Sequence, residues 1–107
     1  MKTWYSYIIV FEDGTFYFGY RGTKNNPNDD FLITYFTSSK EVKHRLLSKE
    51  PCYASIIFQS VNKEEAYIYE QNNILQHWGD HRLLNKSCYY HRIGWGLLSD
   101  EAKQKNK

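Results

Sequence analysis

WYSYIIVFEDGTFYFGY, residues 4–20, decides the fold of this chain. Two β-rich runs flank Asp13-Gly14, an arrangement that predicts a tight hairpin. In the first run Tyr5, Tyr7, Ile9 and Phe11 alternate with Trp4, Ile8 and Val10. A strand apolar on both faces belongs at the centre of a covered sheet. The second run, residues 16–20, carries Gly19 inside an aromatic stretch. A glycine weakens a strand interior unless a bulge or a close approach to the backbone requires a missing side chain. Gly19 is therefore either a packing defect or the floor of a site.

Working outward, RGTKNNPNDDFL (21–32) is rich in Asn, Asp, Gly and Pro and reads as a loop long enough for binding. Ser38 or Ser39 caps a helix running to about Leu47, with Val42, Leu46 and Arg45 on one side and Arg45 at the border of the stripe. YASIIFQSV (53–61) reads as a third strand between Pro51 and Asn62. Asn62 caps a second helix whose stripe is Tyr67, Ile68, Ile74, Leu75 and Trp78. Glu70 flanks that stripe in line with Ala66 and Ile74, so its carboxylate is not expected to be fully solvated. Residues 79–95 read as irregular, and LLSDEAKQKNK as a short polar helix capped by Ser99. The expected class is α+β, a small three-stranded antiparallel sheet flanked by helices, with residues 1–92 as the domain and 93–107 as a polar tail.

The chain of 107 residues is long enough for one core but not two. It is 41% hydrophobic, 24% charged and 18% aromatic, the composition of a globular domain built from rings more than from leucines. A net charge of +2 permits a polyanionic partner without the heavy basic stripe of a strong nucleic-acid binder. Cys52 and Cys88 are isolated and no secretory segment is evident, so a reducing cytoplasm is expected rather than a disulfide framework. No apolar run approaches the ~18 residues of a membrane span.

Hairpin, helix, strand, helix and then an asparagine after a leucine pair is an order that resembles the GIY-YIG nuclease family, over roughly residues 4–90. YSY (5–7) stands at the first motif with Tyr7 as its tyrosine, although the motif's Gly and Ile are replaced. YFG (17–19) stands at the second with Tyr17 and Gly19. The family's helical arginine falls on Arg45, with Arg21 as the alternative because it lies nearer the second motif. Its glutamate falls on Glu70 and its asparagine on Asn85. The run from Phe16 to Lys43 looks most like the small phage-encoded, homing-endonuclease-like branch, which implies residence in a bacterial host cell.

The resemblance implies a metal-dependent DNA endonuclease that hydrolyses phosphodiesters. Glu70 would hold Mg²⁺ or Mn²⁺, since Mg²⁺ keeps most of its waters and needs few protein ligands. Tyr7 would take a proton from water, which requires a cation to depress a phenol pKa ordinarily near ~10. Arg45 or Arg21 would supply that cation and stabilise the phosphate, Tyr17 would bond the water or phosphate, and Asn85 would fix the adjoining loop. Lys24, Lys40, Lys43, His44 and Lys49 are the candidate DNA-backbone contacts. A homodimer is one way for a single-site enzyme to cut both strands.

Two other readings stand beside this one. A catalytically inactive relative would bind nucleic acid or a protein through the same aromatic surface. A zinc-stabilised interaction domain would use His77, His81, Cys88 and His91, whose H-x3-H and C-x2-H spacings suit a tetrahedral site.

Overall fold

The computed structural model describes residues 1–89; the predicted tail, with its Ser99 cap, and His91 lie outside the described residues. Strands β1 (Thr3–Phe11), β2 (Phe16–Thr23) and β3 (Cys52–Ser60) form one antiparallel sheet in the order β2-β1-β3. The doubly apolar strand is central, as its pattern requires. The hairpin is not closed by a two-residue loop. Gly14 N–H bonds the Phe11 carbonyl, Phe11 N–H bonds the Thr15 carbonyl, and Gly14 sits at φ +89°. That is a type I turn followed by a left-handed glycine, the three-residue alternative.

Helices α1 (Pro27–Asp30), α2 (Lys40–Leu47) and α3 (Lys63–Gln76) complete the described elements. Ser39 caps α2 by accepting from Val42 N–H, and Asn62 caps α3 by accepting from Glu64 and Glu65 N–H. Each side chain satisfies helix-end donors that the backbone leaves bare. Residues 21–32 are not one loop. β2 continues to Thr23, and Asn26 caps the single turn α1 with Pro27 at its first position. That start signal was legible in the sequence.

Because side chains alternate along a strand, β1 feeds two cores. Tyr5, Tyr7, Ile9 and Phe11 pack with Tyr17 and Val42 on one face, beneath α2 and the 31–35 segment. Phe16 and Phe18 pack with Ile74, Leu75 and Cys88 on the other, beneath α3, where Ile8 and Val10 join them. His77 belongs to this second core, its ring against Phe16 and Phe18 and its Nδ1 on the Asn73 carbonyl. Among the described residues no helix is long and apolar enough to cross a membrane.

Candidate active site

The pairing register brings Tyr7 opposite Gly19 and Ile9 opposite Tyr17. A side chain at residue 19 would run into the Tyr7 ring, with Cε2 at 2.8 Å from an added Cβ and the hydroxyl and Cζ closer still. Gly19 is glycine because a neighbouring ring lies across its backbone. The approach that empties this position is internal rather than that of a substrate.

Tyr7 is fully buried. Its hydroxyl donates to Thr37 Oγ1 at 3.2 Å and meets the Tyr35 hydroxyl at 3.2 Å, while its ring lies 4.7 Å from that of Phe31. Burial pushes the phenol pKa up, with Tyr35 adding to the push. The depressed pKa expected of a catalytic base is not met, since no cation among the described residues contacts the hydroxyl and burial favours the neutral form. Tyr17 stands nearer the surface, its hydroxyl 3.5 Å from Ser38 Oγ, and it too is raised by burial.

The two arginines have separate settings. Arg45 borders its stripe as expected but is bound at the hairpin turn. Its guanidinium stacks 3.9 Å from the Phe11 ring centre and bonds Glu50, Asp13 and Thr15. A cation so committed serves the turn; none of these partners is one of the site tyrosines. Arg21 lies 4.3 Å over the ring of Tyr35, the residue that meets Tyr7, and its Nε donates to Asp30 Oδ2 at 2.8 Å. Asp30 is 1% exposed and also accepts from Tyr5 and Thr34. Burial pushes its carboxyl up, but these hydrogen bonds, Arg21 first, outweigh that and hold it at about 2. Arg21 is thus the arginine linked to the tyrosine cluster, through Tyr35.

Asn85 makes a two-way clamp. Its Nδ2 donates to the Phe18 carbonyl at 2.7 Å, and its Oδ1 accepts from Phe18 N–H at 2.9 Å. Beside it, Phe16 N–H bonds the Arg82 carbonyl and Leu84 N–H bonds the Phe16 carbonyl. The outer edge of β2 is therefore sealed by residues 82–85, which manages an edge that would otherwise be open to pairing. Asn85→Ala bares the amide and carbonyl of Phe18 and is expected to cost about 1–3 kcal/mol, read as a lower urea midpoint.

Glu70 is the site's most perturbed acid. It is 8% exposed, and among the described residues its one hydrogen bond is from Gln71 Nε2 to Oε1 at 2.6 Å. Desolvation drives its pKa up to about 7, against which the Gln71 bond acts weakly. Burial raises the phenols of Tyr17 and Tyr20, and the Glu70 carboxylate adds to both. Those tyrosines point to opposite faces of edge strand β2, and the carboxylate is near enough to act on both. No lysine or arginine compensates it among the described residues.

A cleft of about 330 Å³ opens next to this edge, lined by Tyr17, Ser38, Ser39, Lys40, Asn85 and Lys86 among others. The N-terminus of α2 faces it with Ser39 and Lys40, a position where helix N–H groups favour anions. Lys86, which no sequence motif marks, is 3.6 Å from Glu41 across the cleft. Lys24, Lys40, Lys43, His44 and Lys49 are all exposed, and Lys40 is the one of them that lines the cleft. Among the described residues no group of three or more His, Cys, Asp or Glu side chains is placed to hold a metal. His77, His81 and Cys88 are not such a group: His81 is exposed, and Cys88 Sγ is directed at the Gln71 carbonyl. Comparison with protein-family models, with curated proteins and with solved structures finds no match for the chain.

Proposed function

We propose that the chain is a metal-dependent endonuclease that hydrolyses DNA phosphodiesters in a GIY-YIG-like arrangement. The observation that carries this reading is Glu70, a carboxylate 8% exposed, with its pKa driven to about 7 and no cation beside it among the described residues. A buried carboxylate so perturbed, close enough to Tyr17 at the cleft to act on its phenol, is a mark of function. It also fits a hard divalent cation. A buried anion lacking a countercharge gains most from a metal, and Mg²⁺ takes its remaining oxygens from water and phosphate rather than from a three-ligand cage.

Bound at Glu70, Mg²⁺ or Mn²⁺ would supply positive charge to the phosphate and its leaving oxygen. The protein's own groups do the rest. Tyr17, whose raised pKa keeps it protonated, donates a hydrogen bond to a phosphate oxygen. Ser38, Ser39 and the first N–H groups of α2 hold the same anion, and Lys40 and Lys86 draw the backbone into the cleft. Asn85 keeps β2, and so Tyr17, in register. Tyr7 is a positioning residue that fixes Tyr35 and Thr37, and Arg21 braces the same cluster through Asp30 and Tyr35.

The test is nicking of supercoiled plasmid with Mg²⁺ or Mn²⁺ between about pH 6 and 9. Intact plasmid throughout would sink the proposal. Tyr17→Phe is expected to keep the wild-type unfolding midpoint within a few degrees and slow nicking about 10- to 100-fold, the usual span for one preorganised donor or somewhat less.

A second reading, an inactive module that binds nucleic acid or protein, is favoured by one observation: Tyr7 and Arg45 are both tied into structural contacts. The two readings part on Glu70→Ala, which leaves binding in place and removes metal-dependent cleavage if the enzyme reading holds.

A further inference from the structure

Gly22 repeats on the opposite face of β2 what Gly19 does beneath Tyr7. It is the register partner of Trp4, and a Cβ there would meet the six-membered half of the indole at 2.7 Å. The Trp4 ring therefore lies across the β2 backbone. It stacks on Tyr20 with centroids 6.1 Å apart at 30°, and Tyr67 stands edge-on behind Tyr20 at 5.3 Å. Lys2 Nζ and Lys63 Nζ lie 5.4 and 5.3 Å from the Trp4 ring centre. Neither ammonium is in an ion pair among the described residues. Glu65, two residues from Lys63, bonds Ser60 instead. Trp4 and Tyr20 are both half-buried.

Trp4 carries two ammonium groups that make no ion pair among the described residues, at a partly open surface, on the strand next to the one that holds Gly19. We propose that Trp4 and Tyr20 form a stacking platform for an unpaired nucleobase, with Lys2 and Lys63 taking the adjoining phosphates. Every base has a π-face, so such a platform reads the absence of pairing rather than sequence. A base inside a continuous duplex keeps both faces against its neighbours and cannot reach it. Resting on the endonuclease reading above, the inference narrows the substrate to DNA with a single-stranded segment beside the bond that is cut.

The experiment measures binding of a labelled short oligothymidylate and of a duplex of equal length by fluorescence anisotropy, in EDTA so that no cleavage intervenes. Trp4→Ala is expected to weaken the single strand roughly 10-fold or more while changing duplex affinity less than about twofold. Trp4→Phe should stay near wild type because it keeps a stacking face. Lys63→Gln, a surface change that leaves the sheet alone, should lower the salt dependence of single-strand binding by roughly 0.7 in the log–log slope. Equal losses on both probes, or no loss from Trp4→Ala together with an unchanged slope for Lys63→Gln, would overturn the platform. A wild type that nicks plasmid but shows no Trp4 effect defeats the platform alone. A wild type that binds neither probe and cuts nothing defeats the platform and the endonuclease reading together.

Discussion

Glu70→Gln is expected to abolish metal-dependent nicking and, in metal-free buffer at about pH 8, to make the protein more stable than wild type. Desolvation holds the carboxyl at about 7 instead of its ordinary 4.5, which penalises its charged form by at most about 3 kcal/mol. The sign follows from the raised value. Below about pH 4.5 the acid is neutral in both folded and unfolded chains, and the substitution gains nothing. As pH climbs through about 7 the wild type loses stability, because the unfolded chain releases its proton first. The amide carries no charge and its oxygen can still accept from Gln71. Thermal unfolding across this range should therefore show the variant's advantage growing from about pH 4.5 to 7 and then levelling, as a midpoint several degrees higher. Added Mg²⁺ should raise the wild-type midpoint and leave the variant unmoved, since only a folded-state ligand shifts the equilibrium. A Glu70→Gln variant that nicks plasmid at the wild-type rate would remove Glu70 from the chemistry.

The second large effect falls on Gly19. Alanine there places a methyl group within the Tyr7 ring, and that ring cannot retreat because it is fully buried between Phe31, Tyr35 and Thr37. Overpacking of this kind costs about 1–3 kcal/mol or more, and Gly19→Val should leave little folded protein at ordinary temperature. The diagnostic is a double-mutant cycle. Tyr7→Leu removes the ring edge that the methyl group meets, so Gly19→Ala should be markedly less damaging in that background, with a coupling of about 1–3 kcal/mol. Additive losses in urea denaturation would mean that residue 19 is glycine for some other reason, such as a ligand at the backbone.

Much of this molecule is readable from local pattern. The alternation over residues 4–11 announces a central strand, Asp13-Gly14 a turn, and Ser39 and Asn62 the starts of α2 and α3. Asn26-Pro27 announced α1 as clearly, but the surrounding Asn and Asp residues read as loop and masked it. Glu70 was legible as a carboxylate one step off an apolar stripe, and the structure buries it. Arg45 at the border of its stripe was legible too. Its commitment to Asp13 and Glu50 was not, because the hairpin turn is brought to α2 only by the packing of the sheet face.

By itself the sequence determined which segments become strands and helices and which strand lies in the middle, because periodicity, caps and turn residues act within a few residues of where they stand. Only the tertiary structure decided what shares a site. Tyr7 was enclosed and bonded to Tyr35 and Thr37, Arg21 was joined to the tyrosine cluster through Tyr35, and Asn85 was brought across the chain to clamp Phe18. Desolvation and cross-strand register set those outcomes. Both depend on which distant segments cover a residue, and neither is encoded in its immediate neighbours.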